Sequence, residues 1–122
     1  MQDYRVAVAT GEPPFAEVTL SYKRHTAKAE AQGDGGYDAF MVALRKAAKE
    51  LGLEVALLTD FRVRIPPGGR TAALVETLIT WCREGRAKNT FTTLGVDSDQ
   101  LAAAVIATEK MLNALASRRR PA

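Results

Sequence analysis

The feature that most limits what this chain can become is that it repeats itself. "DYRVAV" begins at Asp3 and "DFRVRI" begins at Asp60, 57 residues later. The same spacing lays Ala16 and Val18 of "FAEVTL" on Ala73 and Val75 of "AALVET". An insertion of about five residues near "CREGR" then moves the spacing to 62, which sets "TAKAEAQG" on "KNTFTTLG" and matches Gly33 with Gly95. A unit of about sixty residues used twice predicts two copies of one small supersecondary structure.

Each copy reads as three strands and a helix. Tyr4, Val6 and Val8 alternate with Arg5, Ala7 and Ala9, and "GEPP" then supplies turn chemistry. Val18, Leu20 and Tyr22 alternate with Glu17, Thr19, Ser21 and Lys23, as a strand with one buried face should. Ala27, Ala29 and Ala31 alternate with Lys28, Glu30 and Gln32, small enough on one side for a helix to lie close. That helix is marked by Phe40, Ala43, Leu44, Ala47, Ala48 and Leu51 on one face, with Gly52 as its stop. In the second copy Phe61, Val63 and Ile65 open the first strand after "LEVALLT", and "PPGG" makes the next turn. "TAALVETLITW" and "AKNTFTTLG" follow as strands. The last helix starts near "DSDQ", capped by Asp97 or Ser98, with Leu101, Ala104, Val105, Thr108, Leu112 and Leu115 as its buried stripe. Ala102, Ile106 and Met111 add apolar surface beside that stripe, which suggests burial against a partner subunit. The expected fold is α+β: two βββα repeats related by internal pseudo-two-fold symmetry, sheet packed on helices, homodimeric. Repeat one spans about residues 3–52 and repeat two about residues 55–117, together one domain over residues 1–117, with residues 118–122 as a basic tail.

Composition excludes more than it proposes. With 122 residues there is room for one domain and no barrel enzyme. No apolar run reaches the roughly 20 residues that span a bilayer, and no signal peptide opens the chain. A single cysteine, Cys82, and a single histidine, His25, predict neither an internal disulfide nor a zinc site, and the thiol count fits a reducing cytoplasm. The net charge of +3 owes much to Arg118, Arg119 and Arg120, which complement the carbonyl end of the last helix. The remaining basic residues interleave with acidic ones, so no nucleic-acid stripe emerges. His25 has no nucleophile indicated beside it, and Cys82 beside Trp81 reads as a packing residue at a strand end. No catalytic residue, cofactor site or metal site is expected.

One segment asks for more than a fold. "AEAQGDGGYDAF" runs from a strand into a helix through Gly33, Gly35 and Gly36. Two readings stand. Free N–H groups at a glycine-flanked helix N-terminus suit a carboxylate or phosphate. Alternatively the glycines serve a turn with positive φ and an aspartate caps the helix, with no ligand. The spacing matches neither a P-loop nor GxGxxG.

The order βββα twice, with "GDGGYDAFMVAL" at the first helix and "DFRVRI", "TAALVETLI" and "TTLGVDSDQLAAAVIATEKMLNAL" in the second unit, resembles the C-terminal regulatory domain of 2-isopropylmalate synthase. The related citramalate synthase carries the same type of domain. The likeness covers about residues 3–115, and its most specific piece is a Gly-x-Gly-Pro-x-Asp-Ala pattern, met here as Gly33, Asp34, Gly35, Gly36, Tyr37, Asp38 and Ala39. Gly36 stands where the pattern has proline, and Phe61 where the fourth strand usually has tyrosine.

The resemblance implies a non-catalytic domain of an acyltransferase that condenses acetyl-CoA with a 2-keto acid. Such a domain dimerises and binds the end-product amino acid, leucine in one enzyme and isoleucine commonly in the other, for feedback inhibition. It further implies a homodimer, a catalytic barrel in cis or trans, and neither nucleic acid nor membrane as partner. Joined to the glycine cluster, it predicts that N–H groups from Gly33 to Tyr37 hold the effector's carboxylate, with Asp38 or a partner-chain group facing the ammonium. Leu57 and Phe61 would line the side-chain pocket, and Ala72 and Ala73 would leave room for a branched side chain. A dimerisation module that binds no effector is the alternative.

Overall fold

The computed structural model describes residues 3–8, 11–65, 74–83 and 86–118, and it contains the expected order of elements twice. In the first unit, Met1–Glu54, β1 (Asp3–Ala7), β2 (Phe15–Tyr22) and β3 (His25–Gln32) are followed by α1 (Gly36–Leu51). In the second, Val55–Ala122, β4 (Leu57–Arg64), β5 (Val75–Arg83) and β6 (Arg86–Asp97) are followed by α2 (Gln100–Arg118). Each unit has its own antiparallel three-stranded sheet, β1-β2-β3 in one and β4-β5-β6 in the other.

Period-two alternation works where a helix covers one face of the strand. Ala16, Val18 and Leu20 of β2 are buried, and so are Ala27 and Ala31 of β3. Above them lie Ala39, Phe40, Ala43, Leu44, Ala47 and Ala48 of α1, which packs over β2 and β3 and reaches β1. Gly52 ends α1 in the left-handed conformation at φ 69°, and the N–H groups of Gly52 and Leu53 close on the carbonyls of Lys49 and Ala48. In the second unit Thr77, Ile79 and Trp81 of β5 are buried beneath Ala103, Ala104, Ala107, Thr108 and Met111 of α2.

The strand pairings revise the repeat. Asp3 pairs with Thr19 and Asp60 with Thr80, so β5 follows β2 at a spacing of 61 rather than 57. Thr19 pairs with Lys28 and Thr80 with Thr92, which makes the spacing between β3 and β6 equal to 64. The first extra residues therefore fall between β4 and β5. The second set lies beyond the hairpin at "CREGR", because Tyr22↔His25 and Arg83↔Arg86 each enclose two residues. A register shift after Cys82 then adds three residues to β6 before Thr90. Gly95 is consequently the ladder equivalent of Ala31, and Gly33 corresponds to Asp97. From there the two units stay in step: α1 begins at Gly36 and α2 at Gln100, 64 residues on. The seven buried residues of α1, from Ala39 to Ala48, map at that spacing onto Ala103 to Leu112 of α2, all buried. The side-chain clamps repeat as well, since Lys46 Nζ donates to Glu30 O at 3.2 Å and Lys110 Nζ to Leu94 O at 2.7 Å.

Several element expectations change in detail. β1 stops at Ala7, and Val8, read as its third inward residue, is 70% exposed. β4 starts at Leu57, earlier than Phe61; His25 opens β3, and the turn before it is Lys23 and Arg24. The stripe of α2 centres on Ala103 and Ala107 as well as the larger residues, and Leu101 is only half-buried. The reason is close approach. A Cβ on Gly95 would fall onto the backbone of Ala103 and Ala107, so the middle of α2 lies directly on β6. Among the described residues no helix is long and apolar enough to cross a membrane.

Candidate functional site

The segment between β3 and α1 is built from three glycines with three different duties. Gly33 is held by its N–H donating to Pro14 O at 3.1 Å, and a Cβ there would lie 2.5 Å from both Ala39 N and Asp38 Oδ2. It is a contact glycine. Gly36 opens α1, and a Cβ on it would meet Val6 Cγ1 at 3.3 Å and Val8 Cγ2 at 3.8 Å. Gly35 is the N-cap residue in extended conformation, φ −147°, with no side chain to cap the helix. A Cβ on Gly35 would meet nothing within 4 Å among the described residues. None of the three has positive φ, which among the described glycines occurs only at Gly11 and Gly52. The turn that needs positive φ is therefore not the reason for this cluster.

Asp38 bends back to accept the N–H of Asp34 at 2.9 Å, so the third helical residue steadies the loop that precedes its own helix. An aspartate cap is one reading of this segment; Asp38 instead bonds a loop amide, and no side chain caps α1. The Gly35 carbonyl accepts the N–H of Ala39 at 2.9 Å and starts the helical ladder. The first turn of α1 carries the positive end of the helix dipole. Tyr37 stacks on Phe40 with ring centres 5.9 Å apart, and Tyr4 meets Phe40 edge-on at 5.6 Å. This aromatic group ties β1 to the first turns of α1, and buried Ala39 anchors the backbone behind it.

The equivalent place in the second unit is finished differently. Asp97, Ser98, Asp99, Gln100 and Leu101 occupy the positions of Gly33, Asp34, Gly35, Gly36 and Tyr37. Asp99 Oδ2 accepts the N–H of Ala102 at 3.1 Å, and Asp97 Oδ1 accepts the N–H of Asp99 at 2.9 Å. The Asp99 carbonyl accepts the N–H of Ala103 at 3.0 Å, as Gly35 does for Ala39. So the cap is Asp99, where Asp97 or Ser98 was expected. One helix N-terminus is covered by the chain's own carboxylate, and the other presents a bare glycine. The Gly35–Asp99 correspondence escapes an alignment that matches glycine to glycine; the signal that finds it is the buried pattern of the two helices.

The remaining predicted residues belong to the other unit. Gly33 to Ala39 all lie in the first unit, and Leu57 and Phe61 belong to the second. Phe61 pairs with Ile79, whereas Leu57 pairs with Cys82, and a register shift separates Leu58 from Asp60. That bulge reverses the alternation, so Leu57 and Phe61 sit on opposite faces of β4, and Leu58, opposite Trp81, shares the face of Phe61. A pocket on one face takes one of the predicted pair, not both. Ala72 and Ala73 lie outside the described residues. Among the described residues no three His, Cys, Asp or Glu side chains come together as a metal site would require.

Comparison with known proteins adds the family. The model for the LeuA allosteric (dimerisation) domain matches residues 1–116. The chain is 37% identical over 117 residues to a protein of Methanopyrus kandleri named "Probable 2-isopropylmalate synthase", an alignment covering 94% of this chain and 23% of that protein. The chain thus spans about a quarter of the length of that relative. It belongs to the family of LeuA allosteric (dimerisation) domains.

Proposed function

We propose that this LeuA-type domain is the effector-sensing and dimerising part of a 2-isopropylmalate synthase, and that its effector is a branched-chain amino acid, leucine in the first instance. The observation that carries the reading is the contrast between the two helix N-termini. In the second unit Asp99 sets a carboxylate against the first-turn amide of Ala102. In the first unit the same position is Gly35, with open space where a side chain would stand. A ligand carboxylate is the group that position lacks, and the positive end of the helix dipole favours it; the N–H groups of Gly33 and Asp34 are already engaged by Pro14 O and Asp38 Oδ2.

The domain itself does no chemistry in this reading. Feedback inhibition arises because the bound amino acid shifts the pairing of two regulatory domains and, through it, the condensation of acetyl-CoA with a 2-keto acid on the catalytic part. Burial of a leucine side chain contributes roughly 1.5–3 kcal/mol, so the carboxylate and ammonium contacts supply the rest of a useful affinity. Asp38 or a group from the partner chain faces the ammonium. The alternative effector is isoleucine, as for the equivalent domain of citramalate synthase, with its carboxylate taken at the same position. One observation favours a second reading, a dimerisation module without effector: Asp38 already accepts the Asp34 N–H and brings its own negative charge to the loop.

Calorimetric titration of the chain with L-leucine, L-isoleucine and L-valine separates these readings. Saturable binding of one amino acid supports the sensor and names its pathway, and no binding by a folded dimer leaves the module. Gly35→Asp copies the second unit's self-cap into the first. The substituted domain folds, because nothing crowds that position, and it no longer binds the amino acid. Unchanged affinity in that variant would sink the proposal.

A further inference from the structure

At the opposite end of α1, roughly 22 Å from Gly36 at the rise of an α-helix, the first unit has an open cavity of about 440 Å³. Its lining is Tyr22, Lys23, His25, Thr26, Ala27, Glu50 and Leu51. The apolar part is the buried Ala27 with Leu51 and the ring of Tyr22, and the polar part carries one cation and one anion, Lys23 and Glu50. Lys23 Nζ stands 5.3 Å from the centre of the Tyr22 ring, which holds the ammonium at the cavity mouth.

A second observation falls on the same spot. Lys23 and Arg24, at φ 49° and 68°, are the only non-glycine residues with positive φ among the described residues. They are the two central residues of the turn that joins Tyr22 to its partner His25. A two-residue turn with both φ values positive favours Asn-Gly, and Lys-Arg adopts it under strain. The hairpin itself demands positive φ at both positions, and meeting that demand with Lys-Arg instead of Asn-Gly places the Lys23 side chain in the cavity lining.

From the coincidence of cavity, strained basic turn and paired charges, we infer that the β2–β3 hairpin and the C-terminal turn of α1 form a second ligand site, for a small zwitterion with an apolar body. Lys23 takes the ligand's carboxylate, Glu50 and the carbonyl end of the α1 dipole take its ammonium, and Ala27, Leu51 and Tyr22 receive the apolar part. An anion alone meets Glu50 as a like charge, and a cation alone meets Lys23, so both charges on one ligand fit the lining best. The site is independent of the one proposed at residues 33–39, and residue-resolved data keep the two apart.

The test is an amide-resolved NMR titration of the full 122-residue chain with L-leucine as zwitterion, 4-methylpentanoate as the same body without ammonium, and 3-methylbutylamine without carboxylate. Saturable shifts at residues 22–27, 50 and 51 are expected with leucine, and each truncated probe should bind there roughly tenfold more weakly. Lys23→Asn/Arg24→Gly installs the residues the turn prefers, so that variant should melt at a higher temperature and yet lose binding at this end. Glu50→Gln should weaken leucine and leave 4-methylpentanoate undiminished. The inference is overturned if leucine moves none of these signals, if either truncated probe binds as tightly as leucine, or if both variants keep the parent's affinity.

Discussion

The two units place their buried residues at the same ladder and helix positions and fill them in opposite ways. In the first, the bulk comes from the helix: Phe40 and Leu44 of α1 pack on a sheet whose third strand offers Ala27, Ala29 and Ala31. In the second, the bulk comes from the sheet. Ile79 and Trp81 of β5 and Phe91 of β6 face a helix that offers Ala103, Ala104 and Ala107. Large side chains set opposite small ones fill the space between the layers in each unit, as dense packing requires. The exchange also makes the second core polar. Trp81 Nε1 must find an acceptor and donates to Thr93 Oγ1 at 2.9 Å, and that hydroxyl donates in turn to Ala107 O at 2.7 Å. Thr108 Oγ1 donates to Ala104 O, but Thr77 Oγ1, fully buried, has no hydrogen-bond partner among the described residues. The first unit's inward strand residues carry no hydroxyl at these positions, where Ala16 stands for Thr77 and Ala29 for Thr93.

The sharpest way to break the comparison is to remove the large residue that each unit relies on. Trp81→Ala and Phe40→Ala should each cost about 3–5 kcal/mol in urea unfolding, and the tryptophan more, because its loss also leaves Thr93 without a donor. Equal small losses would show that the units do not depend on these anchors. Gly95→Ala comes next. Its Cβ would overlap the Ala103 backbone, so it should destabilise by several times the cost of Gly35→Ala, where the space is open. Similar melting temperatures for the two variants would contradict the close approach of α2 to β6.

Thr77→Val should go the other way and stabilise by about 1–2 kcal/mol, since an unsatisfied buried hydroxyl gives way to a methyl of nearly the same shape. A loss of stability in the same unfolding assay would mean that the hydroxyl has a use. Asp99→Ala should cost about 1 kcal/mol through the lost cap, whereas Asp99→Gly, which copies the first unit, should cost only about a few tenths. The smallest effects are expected at the two lysine clamps. Lys46→Met and Lys110→Met each remove one exposed side-chain bond to an outer strand and should differ from each other by less than about 0.5 kcal/mol.

Much of this was legible in the chain. The alternation of Val18 with Thr19 and Glu17, the helical stripe from Phe40 to Leu51 and the stop at Gly52 follow from local periodicity and from a residue that tolerates left-handed backbone. The repeat was visible from "DYRVAV" and "DFRVRI", but its register was not. Identity at isolated letters matched Gly33 to Gly95, while the pairing matches Gly95 to Ala31. Both small residues let a helix descend onto a strand, and that shared duty is visible only once the layers are packed. The same limit applied to the candidate site. Three clustered glycines were readable as a helix entry. That Gly33 is a contact, Gly35 an open position and Asp38 the source of the loop's bond depended on distances to Ala39, Val6 and Asp34. The bulge that separates Leu57 from Phe61 has no signature in "LLTDFRVR", because a single unpaired residue alters no local preference while reversing every side chain beyond it.

By itself, then, the sequence determined the element types, their order and the fact of duplication, since these rest on spacing along the chain and on the backbone preferences of glycine and the apolar residues. Tertiary structure alone decided which residues of one repeat answer to which of the other, which core is dry and which hydrogen-bonded, and which helix N-terminus is left uncovered. Those outcomes depend on pairing register and interlayer distance, and both are set by contacts between residues that are remote along the chain.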